Sequence, residues 1–217
     1  MTTIWDLPTR AFHWLLASAV VGLLVTGKIG GDGLMAWHGR LGYCVGALLL
    51  FRLAWGLAGG YWSRFSSFPL SMKAALRYVS KRERTVEVGH SPLAAISVYS
   101  MLMFLALQVA SGLFSETKED FSGPLSSAVS NATVHLMTGY HKRVGQWVLI
   151  SLVSLHITAV AFYAWSGSSL VAAMLHGRKA LPEGTPSSRD DWSGRLVAVL
   201  LMSLCSLVMW GITKLGN

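Results

Sequence analysis

The sequence predicts an all-α integral membrane protein that crosses the bilayer five times. Hydrophobic residues make up 53% of its 217 residues and charged residues only 13%, whereas soluble domains average about 25% charged residues. Five apolar stretches approach the length of about 20 residues that a helix needs to cross the hydrocarbon core. Little chain remains outside these stretches, so the composition excludes a disordered protein and argues against a soluble globule.

Each predicted span follows from local sequence. The first begins near Ala11, behind a leader without a basic segment, which predicts a retained helix and not a cleaved signal peptide. The third begins at Pro92, because proline is favoured in the first turn of a helix. The predicted spans cover residues 11–27, 37–57, 92–114, 144–165 and 196–213. Residues 121–141 are uncharged but rich in Ser, Gly and Thr, which predicts a loop. Residues 69–79 predict either an amphipathic helix at the membrane surface or a solvated connector.

The basic residues predict which helix ends face the cytoplasm. If the N-terminus is inside, 12 of the 18 Lys and Arg residues fall on the cytoplasmic side. Cytoplasmic loops carry an excess of Lys and Arg, so the sequence predicts a cytoplasmic N-terminus and a C-terminus on the outer side. The net charge of +8 then reflects orientation and contact with membrane lipid, and it does not predict a nucleic-acid surface.

Four of the seven histidines are predicted to form two pairs at different depths. His13 begins span one on the cytoplasmic side, and His38 begins span two on the outer side. His141 precedes span four, and His156 follows about four helical turns later, about 22 Å deeper at about 1.5 Å per residue. The rotation about the helix axis from His141 to His156 exceeds four full turns by about 60°, so both side chains can face one bundle interior. Depth therefore pairs His13 with His156 and His38 with His141.

Two histidines at one depth on facing helices suit a b-type haem, because each neutral imidazole supplies one nitrogen to the haem iron. A mononuclear metal site or a proton relay would be expected to include carboxylates, and no Asp or Glu lies inside a predicted span. Cys44 and Cys205 belong to no C-x-x-C pattern, which leaves zinc, iron–sulfur and c-type haem sites without support. Haem b is the preferred cofactor, and the alternative for each single histidine is an ordinary interfacial residue.

Cations near the predicted pairs are candidate partners for haem propionates. Arg10 lies beside the inner pair, and Arg40, Lys142 and Arg143 lie near the outer pair. Arg52 follows His38 by about four helical turns, which places it near the inner haem, or it reaches to the cytoplasmic interface.

Several short motifs together resemble one family. They are WDLPTRAFHW at 5–14, WHGRLG at 37–42, GHSPL at 89–93, SGLF at 111–114, SGPL at 122–125, HITAV at 156–160 and MLHGRKALP at 174–182. In combination they resemble the bacterial cytochrome b561 and nickel–iron hydrogenase b-type cytochrome family over roughly residues 4–182. The resemblance implies a four-helix haem-binding domain at 1–182, followed at 183–217 by a connector and an accessory transmembrane helix.

The resemblance also implies two b haems with axial ligands on helices one, two and four. Carried over by position, these ligands are His13, His38 and His156. The fourth ligand departs from the family, in which the two histidines of helix four usually lie one position closer together than His141 and His156 do. Strict counting places Lys142 at that position. We prefer His141, with a one-residue adjustment at the helix start, and keep His135 in reserve.

Two further histidines receive lesser roles. His90, in the GHSPL motif at the inner end of span three, is predicted to lie at the inner haem or at a quinone edge, or to be an ordinary interfacial residue. His176 is predicted to be exposed in the connector beyond span four.

The resemblance implies an electron-transfer subunit of a respiratory chain in the bacterial inner membrane. It would connect the quinone pool to a periplasmic partner, either a hydrogenase-like enzyme or a c-type cytochrome. The alternative is a self-contained quinol-coupled oxidoreductase that acts on a small oxidant. Its site would have to lie in the outer loop 115–140, where no nucleophile or acid–base set stands out. A haem-free transporter ranks last.

Overall fold

The computed structural model describes residues 1–69, 71, 73, 91–117, 121–168 and 170–215. Within them, five helical segments are long and apolar enough to cross a membrane, which confirms the predicted all-α class. The helices are α1 (Leu7–Ile29), α2 (Asp32–Ala58), α3 (Pro92–Leu113), α4 (Asn131–Gly139), α5 (Gln146–Trp165), α6 (Leu170–His176) and α7 (Trp192–Thr213). A π-helical turn at Tyr140–Gly145 joins α4 to α5. Two short strands, β1 (Thr2–Thr3) and β2 (Arg178–Lys179), pair antiparallel.

Helix starts explain where the structure differs from the sequence prediction. Asp6 accepts a hydrogen bond from the Thr9 backbone N–H, so α1 begins four residues before the predicted span. The prediction of a loop at 121–141 is wrong from residue 131 onward, because the Ser130 side chain caps α4. Ser91 caps α3 and places Pro92 in its first turn, as the sequence predicts. The predicted segment at 69–79 lies largely outside the described residues.

Helix α2 is the central helix of the bundle. Its buried apolar side chains are Val45, Leu48, Leu49, Phe51 and Trp55. Helix α1 packs along one side of α2 and α7 packs along another. The α7 contact is close at Gly46, where an added Cβ would lie 2.7 Å from Met209 Cε. Close packing of this kind drives helix association in a bilayer, so the fifth span is an integral part of the bundle.

A buried carboxylate, that of Asp6, organises one end of the bundle, which we call the Asp6 end. Asp6 is fully buried. It accepts hydrogen bonds from Thr9 N (2.9 Å), Trp55 Nε1 (3.3 Å), Gly60 N (3.1 Å) and Ser63 Oγ (2.7 Å). A buried carboxylate is tolerated only when its oxygens are satisfied in this way. Asp6 therefore ties the start of α1 to the end of α2 and to the segment that follows.

The connector before α7 closes the same end. The β1–β2 pair holds the N-terminus against the residues that follow α6. The Ser188 hydroxyl donates to the Ile4 carbonyl at 2.7 Å, and the Ser188 N–H donates to the Thr3 carbonyl at 2.8 Å. The N-terminal leader is thus held both by β2 and by Ser188, which lie in the connector between α6 and α7.

Asp190 gives this closure a pH dependence. Burial opposes ionisation of Asp190. Hydrogen bonds from Arg195 and from the Leu7 backbone, with the positive charges of Arg195 and Arg10, outweigh burial and lower its pKa below the ordinary value of 3.8. Because the pKa is depressed by folding, the stabilisation is present above the ordinary carboxyl pKa and is lost as the pH falls through the folded-state value.

We expect Asp190→Asn to remove the part of the protein's acid sensitivity that comes from this carboxylate. Unfolding of both proteins in detergent between about pH 6 and pH 3 measures it.

Tryptophans mark both ends of the bundle. Trp14, Trp165 and Trp192 are exposed at the Asp6 end. We call the opposite end the His38 end. It carries three cation–π contacts: Lys28 over Trp147 at 4.7 Å, Arg40 over Trp37 at 5.1 Å and Lys214 over Trp210 at 5.8 Å. Exposed tryptophans at two levels are typical of the two interfaces of a membrane. The chain is therefore a multi-pass membrane protein.

Candidate functional site

The structure brings His13 and His156 together near the Asp6 end. Their ring centres lie 6.5 Å apart, with an angle of 55° between the ring planes. His13 is supplied by the second turn of α1 and His156 by the middle of α5. The Nδ1 atom of His13 is buried and has no hydrogen-bond partner among the described residues.

His38 and His141 face each other at the His38 end. Their ring centres lie 6.1 Å apart, and the ring planes are nearly perpendicular, at 84°. His38 is in the second turn of α2, and His141 is in the π-helical turn. Both histidines line one cavity, whose walls are mostly apolar side chains of α1, α2, α3 and α5.

The two separations fit a shared metal atom. An imidazole nitrogen binds a metal at about 2.0–2.1 Å and lies ~1.1 Å from its ring centre, so two opposed ligands place their ring centres about 6.3 Å apart. The observed separations are 6.5 Å and 6.1 Å. Each pair is therefore spaced so that both of its imidazoles could bind one iron atom.

The second nitrogens of the His38–His141 pair are held by neighbouring helices. His38 Nδ1 lies 3.1 Å from Thr26 Oγ1 of α1. His141 Nδ1 lies 3.2 Å from Ser111 Oγ and 3.0 Å from the Gln108 carbonyl oxygen, both on α3. Partners of this kind fix the orientation of ligating histidines. The Nε2 atom of each ring is thereby left for a ligand in the cavity.

The π-helical turn accounts for the unusual histidine spacing. A π-turn inserts one residue into an α-helix, and the turn at Tyr140–Gly145 lies between His141 and most of α5. Because of this inserted residue, His141 and His156 have nearly the relative orientation that they would have in a regular α-helix with one residue fewer between them. His141 faces His38 as a result, while Lys142, at the position that strict counting gives, is exposed.

Gln108 stabilises the π-helical turn. Its Nε2 atom donates a hydrogen bond of 3.0 Å to the His141 carbonyl oxygen. Gly145 gives this side chain room, since a Cβ at that position would collide with Gln108 Oε1. Helix α3 thus contacts His141 through both the backbone and the side chain of Gln108.

We expect Gln108→Leu to weaken the His38 end selectively. Leucine fills a similar volume but leaves the His141 carbonyl without its donor, which costs about 1–3 kcal/mol for a buried polar group. Any haem held by His38 and His141 should dissociate at a lower temperature, while haem held by the other pair should be retained. Absorbance at the Soret band during heating measures both losses. Identical melting of the variant and the parent protein would show that the π-turn needs no support from Gln108.

The candidate propionate partners have different surroundings. Arg10 donates to the Leu175 carbonyl at 2.6 Å and lies 3.9 Å from Asp190, while its Nε atom is buried without a partner in the described chain. Lys142 lines the His38–His141 cavity. Arg40 stacks on Trp37, and Arg143 is exposed in the π-turn.

Arg52 is buried at the Asp6 end, which is the depth predicted for it near the inner pair, and it does not take the alternative position at the interface. It is 4% exposed and so does not extend to the surface. Its Nη1 atom donates to the Ser63 carbonyl at 3.1 Å, and its guanidinium lies over the rings of Phe65 and Phe68. Arg52 is therefore committed to the structure of the Asp6 end, and we do not propose it as a propionate partner.

The remaining histidines lie apart from the pairs. His135, the reserve candidate, is exposed on α4, before the π-turn that holds His141. His176 is exposed at the end of α6. His90 lies outside the described residues.

Sequence reasoning missed Thr26, Gln108 and the role of Ser111. A hydroxyl or amide inside an apolar span is a weak signal, because such groups commonly bond to their own helix backbone. The informative feature is that Thr26 and Ser111 each precede a glycine, Gly27 and Gly112, against which a histidine ring packs.

Comparison with known proteins agrees with this architecture. The profile of a family described as prokaryotic cytochrome b561 matches residues 4–177. A probable Ni/Fe-hydrogenase B-type cytochrome subunit of Bradyrhizobium diazoefficiens is 25% identical over an alignment of 213 residues. The match covers 81% of this chain and 85% of the relative. Proteins of the same description from Rhizobium leguminosarum bv. viciae and Azotobacter vinelandii are each 24% identical and are covered to 87% and 90% of their lengths. No solved structure was found that matches the chain significantly. Because the family profile spans most of the sequence, the chain belongs to the prokaryotic cytochrome b561 family.

Proposed function

We propose that this protein is an electron-transfer subunit that holds two b haems and connects the quinone pool of the bacterial inner membrane with a periplasmic redox partner. Membership of a b-type cytochrome family implies haem b as the cofactor. The observation that carries the proposal is the presence of two facing histidine pairs near opposite ends of one apolar bundle. One haem at each pair accounts for both.

The chain's own residues suit this cofactor. His13 and His156 would hold one haem, and His38 and His141 the other. Haem b supplies a reversible one-electron couple between ferric and ferrous iron. The buried, unpartnered Nε of Arg10 is a donor suited to a propionate of the first haem, and Lys142 is the corresponding cation at the second cavity. Arg40 and Arg143 are secondary candidates at that end.

One continuous helical segment gives the two proposed sites their separation. His141 and His156 lie on one continuous helical segment, Asn131–Trp165. About four turns of helix rise about 21–22 Å, which spans most of a hydrocarbon core of about 30 Å. This separation supports two haem sites that lie toward opposite faces of the bilayer.

We infer that the Asp6 end faces the cytoplasm and the His38 end the periplasm. The basic residues support this orientation, since the sequence assigns 12 of the 18 to the cytoplasmic side when the N-terminus is inside. Such an excess is typical of cytoplasmic loops. The C-terminus, which follows α7, is then periplasmic.

The relatives' names support a hydrogenase complex as the partner. Three relatives are described as probable Ni/Fe-hydrogenase B-type cytochrome subunits. A periplasmic c-type cytochrome is the second candidate for the same role. The quinone pool supplies or accepts the electrons at the membrane. Substrate chemistry belongs to the partner in this proposal, so the chain itself needs no catalytic residues.

A reconstituted system tests the proposal. Protein in liposomes that contain a quinol in the bilayer should reduce a membrane-impermeant one-electron oxidant, and liposomes without protein should not. The His156→Ala protein should lose this activity, whereas Thr158→Val, whose hydroxyl donates to the Ser154 carbonyl of its own helix, should retain it. A parent protein that binds no haem, or that transfers no electrons when loaded with haem, would refute the proposal.

A further inference from the structure

Two helices place the same two-residue element beside a histidine of a neighbouring helix. On α1 the element is Thr26-Gly27, beside His38, and on α3 it is Ser111-Gly112, beside His141. A Cβ added to either glycine would lie 3.0 Å from the Cε1 atom of that histidine. Each ring therefore packs on a glycine while the preceding hydroxyl contacts its Nδ1 atom.

The hydroxyl contacts specify where the hydrogen on each ring lies. The Thr26 hydroxyl donates its one hydrogen to the Gly22 carbonyl, at 2.7 Å, and the Ser111 hydroxyl donates to the Gln108 carbonyl, at 3.0 Å. A hydroxyl has only one hydrogen, so with that hydrogen on the carbonyl of its own helix each oxygen accepts from the histidine Nδ1–H. The Gln108 carbonyl, which can only accept, also lies 3.0 Å from His141 Nδ1. Both rings thus carry hydrogen on Nδ1 and present a bare Nε2.

The pair at the other end is built differently. His13 Nδ1 is buried, and no acceptor meets it within the described part of the chain. The His38–His141 pair therefore has hydrogen-bonded imidazoles on both sides, whereas at least one imidazole of the His13–His156 pair lacks this support.

This difference has a consequence for the iron. An acceptor at Nδ1–H raises the basicity of the opposite nitrogen. A more basic ligand donates more electron density and stabilises ferric iron over ferrous iron. Hydrogen bonding around the ligands is one of the means by which a protein sets the potential of a haem.

We propose that Thr26 at His38, and Ser111 together with the Gln108 carbonyl at His141, fix the Nδ1–H form of these histidines, and that the two hydroxyls are positioning groups that lower the reduction potential of the haem the histidines hold. The inference rests on the proposed function, in that these histidines are taken as axial ligands. It predicts different potentials for the two centres of the chain, with the potential of the centre at the His38 end lowered by hydrogen bonding.

A redox titration of the purified, haem-loaded protein tests the inference. Thr26→Val and Ser111→Ala, separately and together, remove the hydroxyl acceptors and keep side-chain size nearly constant. The potential of the centre at the His38 end should rise, with a shift in its ferric-to-ferrous ratio at fixed potential of about threefold to tenfold in the double variant. The centre at the Asp6 end should not move. Repeating the titration in the His156→Ala background, in which only the His38 end should hold haem, assigns the shift.

Conservative variants separate a positioning role from a merely structural one. Thr26→Ser and Ser111→Thr keep the hydroxyl and should restore the parental potential and the parental electron paramagnetic resonance spectrum of ferric haem. Thr158→Val, which removes a hydroxyl that donates to the Ser154 carbonyl of its own helix, should leave both potentials unchanged. If a hydroxyl-free variant loses haem at the His38 end, restoration by the conservative variant supports the inference, and failure of restoration overturns it.

Failure of the inference differs from failure of the proposed function. Two haems with unshifted potentials in the Thr26→Val/Ser111→Ala protein would overturn the role of the hydroxyls and leave the ligands in place. Retention of both haems after His38→Ala would instead overturn the ligand assignment, and the inference with it.

Discussion

Replacing His156 with alanine is expected to remove one haem from the protein and leave the other in place. The variant should bind about one haem per chain where the parent binds about two, because the iron at that end loses an axial nitrogen. His38→Ala should give the complementary loss at the opposite end. Haem extraction against protein concentration measures the number, and the two variants should retain haems with different potentials. The expectation follows from ring separations of 6.5 Å and 6.1 Å in the two pairs.

His176→Ala and His135→Ala are the matched controls for this prediction. Both histidines are exposed, and neither belongs to one of the two pairs. Each control protein should keep both haems with parental spectra. Loss of haem from the His135 variant, with retention in a His141 variant, would move the fourth ligand to the reserve position and contradict the pairing in the structure.

Replacing Asp6 with alanine should cause a large loss of stability. Four donors that now bind the carboxylate, from Thr9, Trp55, Gly60 and Ser63, would lose this buried acceptor. Buried groups left unpaired cost about 1–3 kcal/mol each before relaxation, so we expect a loss of about 3–5 kcal/mol in the free energy of unfolding. Unfolding in detergent, followed by tryptophan fluorescence, measures the loss.

Two further variants show whether burial is the cause. Asp6→Asn keeps one carbonyl acceptor and should lose less stability than Asp6→Ala. Asp191→Ala removes another helix-capping aspartate, which is exposed and bonds to the Gly194 N–H at the start of α7. Its effect should be much smaller than that of Asp6→Ala. Equal losses of stability from Asp6→Ala and Asp191→Ala would show that Asp6 contributes only its helix cap and that its burial adds nothing.

The parts of the structure that sequence predicts well are those that depend on periodicity and composition. Five spans follow from the apolar stretches, because a bilayer demands a minimum length of uncharged helix. The pairing of His13 with His156, and of His38 with His141, follows from depth alone once the spans alternate in direction. Pro92 marks a helix start because its ring fits only the first turn.

The parts that sequence predicts poorly depend on contacts between distant residues. Composition misses the start of α4 at Asn131, because Ser, Gly and Thr favour loops locally while a serine cap and the surrounding bundle favour a helix. The π-turn at Tyr140–Gly145 leaves no mark in hydropathy, although the spacing between His141 and His156, longer by one position than is usual in the family, hints at an insertion. Depth alone places Arg52 near the predicted inner haem, but its position around the axis of α2 directs its side chain toward Ser63 and the rings of Phe65 and Phe68.

Buried polar groups are the clearest case. Asp6 stands in the leader before the first apolar stretch, and nothing in the sequence indicates its four partners, three of which lie near the end of α2 or beyond it. Thr26 and Ser111 look like ordinary small residues within spans. Their roles become visible only when α1 and α3 bring them to the Nδ1 atoms of His38 and His141.

The central claim is that each of the two histidine pairs holds one b haem. The most direct measurement is the molar ratio of haem b to chain in the purified parent protein, combined with a redox titration of the same sample. We expect about two haems per chain and two separate one-electron transitions. A ratio of one haem per chain, or a protein that contains no haem b, would contradict the claim.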